Sequence, residues 1–566
     1  MKYLQLSILF FSLSVYAQQW DSVENFSRLL HYQNNNSLVK DNNFFLHEDG
    51  KNNIALELEA LIESYNSPIL LGEKHPRCIF PDRYFWLSKQ IYLDKYEVYP
   101  TFCNKLKKWH DDNPVKSVSA LFVGGYFSNP ASFFGHNLLR FNGGDNELFD
   151  LTLNFGAKVP EDETALSYIG KGLFGGYDAR FSNQEFYKRD LVYSKSELRD
   201  IWDYELKLSE EELTLLKLHI WTIRNRLFDY YFLKENCAYQ IASILNIVID
   251  MDLPKYKQWY MPVDLTNQLS KHSDRVKSVT YQPSIEKKIF KQFANLNEEE
   301  LDYAEQIIKT NYIYEHHNKE VEINVLNTLL SYYNTLLIDS HDEETAQKRD
   351  MLLARRLELP IGEKSITIKN VAPHNYPSLS KASLYFDKNN IYSEFSIFNN
   401  SLLGEHGLQD AELIASRVKF VTNKEGKTDF YDLDIIKIIK LNRSLENFPQ
   451  QKISWEAQLG AKRIDGRIKP TAIVGIGKTI FSDKKNVLYS MASALVNHTH
   501  ESFSPQVKLN LLSKNSIGNF LISYKLDIKN KNNFLSFNWK RQINNSISLS
   551  FDRAQKNSTF GVGFHF

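Results

Sequence analysis

From Lys381 to the carboxyl end, apolar and polar residues alternate along the chain with a period of two. In KISWEAQLG, Ile453, Trp455, Ala457 and Leu459 fall on one parity and Lys452, Ser454, Glu456 and Gln458 on the other. FLISYKLDI sets Phe520, Ile522, Tyr524, Leu526 and Ile528 against Leu521, Ser523, Lys525 and Asp527, and TFGVGFHF alternates Phe560, Val562, Phe564 and Phe566. This pattern predicts strands with one apolar and one polar face. Clusters of Asn, Asp, Gly, Lys and Ser separate about twelve such segments of roughly 8 to 12 residues, a length that suits tilted strands crossing a thin hydrocarbon layer. A soluble all-β domain would alternate too, but aromatic-rich outer faces repeated around the whole region favour contact with lipid. The expectation for residues 373–566 is an antiparallel transmembrane β-barrel of about 12 strands.

The patterning before Pro373 is different. Residues 18–115 carry helical spacing, as in NIALELEALIESY, and residues 285–372 read as a connector of long amphipathic helices with a charged face. His316 and His317 in that connector are expected on a solvated face rather than on a metal. Between these regions, in 116–284, VSALFVGGYF, HNLLRF and ELFDLTLNF read as strands, so the fold class of the whole is α+β followed by a barrel. GKGLFGGYDARF, with Gly170, Gly172, Gly175 and Gly176, lacks the strand-to-helix setting of a phosphate loop and is expected as a flexible loop beside a cleft. An even strand count returns both barrel ends to one side. By this count the longer connections, NNSLLGEHGLQD and LNRSLENFPQQ, fall on that side as well, and a further strand in KSITIKNV would reverse the arrangement.

The opening MKYLQLSILFFSLSVYAQQW has basic Lys2, an apolar run from Leu4 to Val15 and small residues Val15 and Ala17 before Gln18. Residues 1–17 therefore read as a secretory signal peptide. No cysteine follows the expected cleavage point, so the pattern is not that of a lipoprotein. Export implies an oxidising compartment, which decides how cysteines are read. Three are present. Cys78 and Cys103 are the natural disulfide pair, worth roughly 3 kcal/mol through loop closure, and Cys237 is left alone. Basic and acidic residues balance at 68 each, so nothing favours a nucleic-acid partner. No HExxH or paired CxxC occurs, so no metal or other cofactor is expected.

Candidate chemistry sits in the middle region. On HNLLRF a period of two places His136, Leu138 and Arg140 on one face, and on the next strand Asp150, Thr152 and Asn154 share a face and offer three ways to orient an imidazole. Asn236 is a good helix N-cap, which puts Cys237 at the first helical position. The helix dipole and the open amides there are expected to favour the thiolate and to stabilise an oxyanion.

The two stretches NPASFFGHNLLRF and YYFLKENCAYQI, about a hundred residues apart, resemble the Lnb N-terminal periplasmic domain family, and HPRCIFPDRYFWL resembles the segment that precedes this domain in larger members. The likeness covers roughly residues 70–260. The family in turn resembles the circularly permuted NlpC-like, papain-like fold of lecithin-retinol acyltransferase. The resemblance implies Cys237 as nucleophile and His136 as general base, with Asn154 or Asp150 as third member. Ser132, Arg140 and Asn236 become pocket or substrate-binding residues. A member of the family is known as a lipoprotein acyltransferase, which implies an envelope lipid or lipoprotein as substrate. The chain's end, an aromatic residue closing an alternating strand, resembles bacterial outer-membrane barrels, which implies an outer-membrane bilayer as partner and a periplasmic amino-terminal domain. A peptidoglycan amidase or endopeptidase and a non-enzymatic outer-membrane scaffold remain as alternatives.

Overall fold

The computed structural model describes residues 22–566 apart from 126–132, 145–146, 161, 187, 189–198, 254–258, 311, 340–341, 363–367, 406–409, 443–452, 465, 484, 498–502 and 556. The chain divides into two compact units, 1–284 and 285–566.

The first unit is built on a seven-stranded antiparallel sheet. Its strands are β1 (Ser117–Val123), β2 (His136–Asn142), β3 (Leu151–Ala157), β4 (Tyr177–Glu185), β5 (Ile201–Leu206), β6 (Phe228–Tyr230) and β7 (Val276–Gln282), in the spatial order β6-β4-β3-β2-β1-β5-β7. Central β2 is buried along nearly its whole length, as a strand covered on both faces must be. Gly135 sits just before it at φ 95°, where a Cβ would lie 3.0 Å from the Val123 carbonyl and 3.3 Å from the Phe122 ring. Only glycine lets the chain enter β2 this tightly against β1.

Helices α1 (Ser22–Leu29), α2 (Ile54–Ser64), α3 (Pro81–Gln90) and α4 (Asn104–Asp112) form the amino-terminal region. The Cys78–Cys103 disulfide is formed, and an ion pair of Arg83 Nη1 with Glu57 Oε1 at 2.7 Å is completely buried. GKGLFGG is not a loop. Residues Ala165–Phe174 form α5, capped by Thr164, and Gly175 and Gly176 turn directly into β4. The reason is packing: a Cβ at Gly172 would meet the Phe232 ring at 2.3 Å, so this glycine serves a helix contact. Three more helices follow, α6 (Glu210–Ile223), α7 (Cys237–Leu245) and α8 (Pro262–Lys271), and α7 packs across β2 and β3.

The second unit opens with α9 (Ile285–Ala294), α10 (Glu298–Thr310), α11 (Lys319–Asp339) and α12 (Glu343–Leu357), which share a core of Phe293, Tyr303, Val325, Leu326, Leu329 and Leu352. His316, expected in solvent, is 7% exposed and lies against Tyr303, because the connection between α10 and α11 folds back on this core. Twelve antiparallel strands then form a closed barrel, from β8 (Lys381–Phe386) to β19 (Asn557–His565), with β8 and β19 closing the ladder. The alternation is used as the sequence predicts. Val474 and Ile476 are more than half exposed on the outside, whereas the Arg417 side chain is 14% exposed and pairs with Glu394, Asp432 and Asp434 from the neighbouring strands. No strand occurs in 368–371; the rest of the ITIK stretch of KSITIKNV falls in 363–367, outside the described residues. The strand ends that flank the two longer connections, Asn400 and Ala411, and Lys440 and Ser454, lie at the end of the barrel where the chain enters and leaves it. No described helix is long and apolar enough to cross a membrane.

Candidate active site

Asn236 starts α7 as predicted. Its Oδ1 accepts from the amides of Ala238 (3.0 Å) and Tyr239 (3.1 Å), and its Nδ2 donates to the carbonyls of Phe232 (3.1 Å) and Tyr260 (2.6 Å). All four hydrogen-bonding capacities of the amide are thereby used. Asn236 positions the helix and has none left for a substrate, which corrects the substrate-binding role expected of it.

Cys237 at the first helical position is 4% exposed. Its sulfur takes hydrogen bonds from the amides of Asn137, Ala238 and Cys237 itself, and the Arg199 guanidinium acts on it electrostatically. The origin of the Asn137 bond is the sheet. β3 runs on to Ala157 against β4, but pairs with β2 only from Leu138 to Phe141. The Asn137 amide lies just beyond the end of that pairing, and the α7 start brings the thiol to it. The sulfur thus lies at the backbone amide of the residue that follows His136.

Register decides the partner of His136. Leu138 stands opposite Asn154 and Arg140 opposite Thr152, so the face shared by His136, Leu138 and Arg140 carries Asn154 and Thr152. Asn154 reaches the imidazole, with Nε2 donating to Oδ1 at 2.5 Å. A proton held on Nε2 leaves Nδ1 as the basic nitrogen. Thr152 Oγ1 donates instead to the Gln184 carbonyl at 2.7 Å. Asp150, the other third-member candidate, precedes the strand and accepts from the amides of Gly143 (3.0 Å) and Gly144 (3.4 Å). It faces Arg140, whose Nε is 3.8 Å away, and takes no part at the imidazole.

Arg140 is also reassigned. Its Nη2 donates to Asp203 Oδ2 at 2.6 Å and its Nε to Asn142 Oδ1 at 2.8 Å. Four residues of strand place it roughly 13 Å from His136, so it ties β2 to its neighbours rather than contacting a substrate at the thiol. Ser132 lies outside the described residues.

Electrostatics also differ from the sequence expectation at the sulfur. Burial pushes the Cys237 thiol up to about 11, against the hydrogen bonds and Arg199, which pull it down. The helix start loses because burial is the larger effect, and two of its amides are committed elsewhere, Tyr239 to the Asn236 side chain and Gln240 to the Asn236 carbonyl at 3.1 Å. The Cys237 and Asn137 amides are turned to the sulfur itself.

Arg199 escapes sequence reasoning altogether. It is 3% exposed, with Nε donating to the Gly124 carbonyl (2.5 Å) and Nη2 to that of Val123 (3.3 Å), the residue opposite His136. No local motif marks it, because only the pairing of β1 with β5 brings it there. Asn137 Oδ1 and both polar atoms of the Gln240 side chain, one helical turn after Cys237, are buried with no hydrogen-bond partner.

Residues 105–272 match the family described as the Lnb N-terminal periplasmic domain, and residues 18–90 match a domain of unknown function. No curated protein matches the chain. Among solved structures, KdgM porin in complex with disordered oligogalacturonate aligns at 8% identity and a TM-score of 0.22, over 33% of this chain and 98% of that one. A second KdgM porin structure aligns at 6% identity with the same score and coverage. Residues 105–272 thus match the Lnb N-terminal periplasmic domain family, in a chain that continues into a closed twelve-stranded β-barrel.

Proposed function

We propose that the chain is an outer-membrane-anchored thiol acyltransferase or hydrolase, acting on an ester or amide bond of an envelope lipid or lipoprotein. The observation that carries this reading is the arrangement at the start of β2. Cys237 Sγ is bonded to the amide next to His136, and Asn154 holds the His136 Nε2 proton. As Sγ attacks the acyl carbon, its proton passes to His136 Nδ1. The oxyanion is met by the Cys237 and Asn137 amides, and Arg199 adds positive charge. Collapse breaks the bond to the leaving group, which takes the proton back from His136. Water or an amine then cleaves the thioester with His136 as base.

The outward apolar face of the barrel, with its buried charged lumen, supports insertion in a bilayer. The outer membrane, with residues 1–284 in the periplasm, is the location that fits the Lnb match and the barrel together.

One test is to incubate the detergent-solubilised chain with a long-chain acyl p-nitrophenyl ester, a synthetic lipopeptide and peptidoglycan fragments. An acyl adduct on Cys237 that hydroxylamine removes is expected with the ester or lipopeptide. Cys237→Ala should abolish it, and His136→Ala should slow it by about 10² to 10⁴-fold. Cleavage of peptidoglycan alone would replace this reading by an amidase. The buried, neutral thiol favours a second reading, a binding scaffold, and absence of any adduct with all three probes would establish that one.

A further inference from the structure

His316 and His317 lie in the connection between α10 and α11, with their rings stacked at 4.4 Å between centroids. Glu299, in the first turn of α10, turns its carboxylate to both. Oε1 is 3.5 Å from His316 Nε2 and 3.6 Å from His317 Nε2, and the three donor atoms lie within 4.8 Å of one another. These separations are too long for N–H···O hydrogen bonds, which fall at about 2.7–3.2 Å. The two separations from Glu299 approach the edge of a tetrahedron, which is about 3.3–3.4 Å when the ligand distances to its centre are 2.0–2.1 Å.

We propose that Glu299, His316 and His317 form a binding site for a divalent transition-metal cation of the zinc class, with water at the fourth position. Two imidazole nitrogens and one carboxylate oxygen are the donor set such ions prefer, whereas calcium and magnesium take oxygen. His316 Nδ1 accepts from the Asn318 amide at 3.1 Å, so a metal at Nε2 would displace the ring proton held there. His316 is fixed by the helical core, while the His317 side chain is 83% exposed and that of Glu299 is 49% exposed. An ion therefore reaches the site from solvent. Once bound, it ties the start of α11 to the start of α10.

The test uses the detergent-solubilised full chain, stripped with EDTA and titrated with Zn²⁺ against a chromogenic chelator, and with Co²⁺ as a spectroscopic probe. One equivalent of zinc is expected to bind, with a Kd on the order of micromolar, and Co²⁺ should give the intense visible bands of a tetrahedral site. His317→Ala and Glu299→Gln alter exposed side chains and leave the fold intact, and each should weaken zinc binding by about 10- to 100-fold or more. Binding well below one equivalent, or equal binding in wild type and both variants, would overturn the proposal.

Discussion

The thiol of Cys237 is buried and hydrogen-bonded, and burial outweighs its partners, lifting it from 9.0 to about 11. Two units correspond to a hundred-fold lower thiolate population, or about 2.7 kcal/mol against ionisation. At pH 7 about one molecule in ten thousand would carry the thiolate. The assay is the rate of iodoacetamide alkylation of Cys237 between pH 6 and 11, read by mass spectrometry of its peptide with the Cys78–Cys103 disulfide intact. The pH at which the rate levels off is the quantity that matters, because poor access to a buried sulfur lowers the rate at every pH. In the folded chain the rate should climb about tenfold per pH unit and level off only near the top of the range, whereas in guanidinium it should level off near pH 8.5. His136→Ala should leave the folded profile where it is, since the resting thiol owes its state to burial. A plateau below pH 8.5 that moves upward in His136→Ala would refute this reasoning. It would mean that a thiolate–imidazolium pair is already formed at rest, and that the helix start and His136 together outweigh desolvation.

Glu57→Gln keeps the shape of the buried pair but removes its charge, and turns an amide N–H₂ toward the Leu46 and His47 N–H groups that Glu57 now accepts. It should destabilise the first unit by about 3–5 kcal/mol, seen as a lowered Tm by tryptophan fluorescence. His31, buried with Nε2 3.0 Å from His219 Nε2, is held well below 6.5 by desolvation first and by His219 and Arg83 second. Its folded form stays neutral while the unfolded chain takes up a proton below about pH 6.5, so stability falls with falling pH by about 1.4 kcal/mol per unit. Denaturant midpoints at pH 7 and 5 should show this loss in wild type and less of it in His31→Asn, a residue that tolerates the φ of 53° found there. On the barrel, Val474→Arg on the outer face should cost about 2–4 kcal/mol of stability in lipid. Heat-modifiability on gels after refolding into vesicles measures it, and an unchanged barrel would argue against lipid at this face.

Much of this architecture was legible in one dimension. A closed barrel buries one parity of every strand and exposes the other, so the period-two pattern after Lys381 carries the strand count without any long-range information. Asn236 and Cys237 could be placed at a helix start because capping is local chemistry, and the disulfide followed from two cysteines close in sequence in an exported chain. What the residues of one strand bond to is not local. Asp150, Thr152 and Asn154 are equivalent by parity, and only the β2–β3 register, Leu138 opposite Asn154, selects the one that meets His136. Arg140 looked like a pocket residue until Asp203 arrived from β5 to pair with it. Helix position alone argued for an activated thiol, but the packing of α7 on the sheet removed water from the sulfur, and desolvation is a property of the assembled fold. Arg199 and the Glu299–His316–His317 cluster were missed for the same reason. Each brings together groups whose proximity is created by folding, and no spacing along the chain records it.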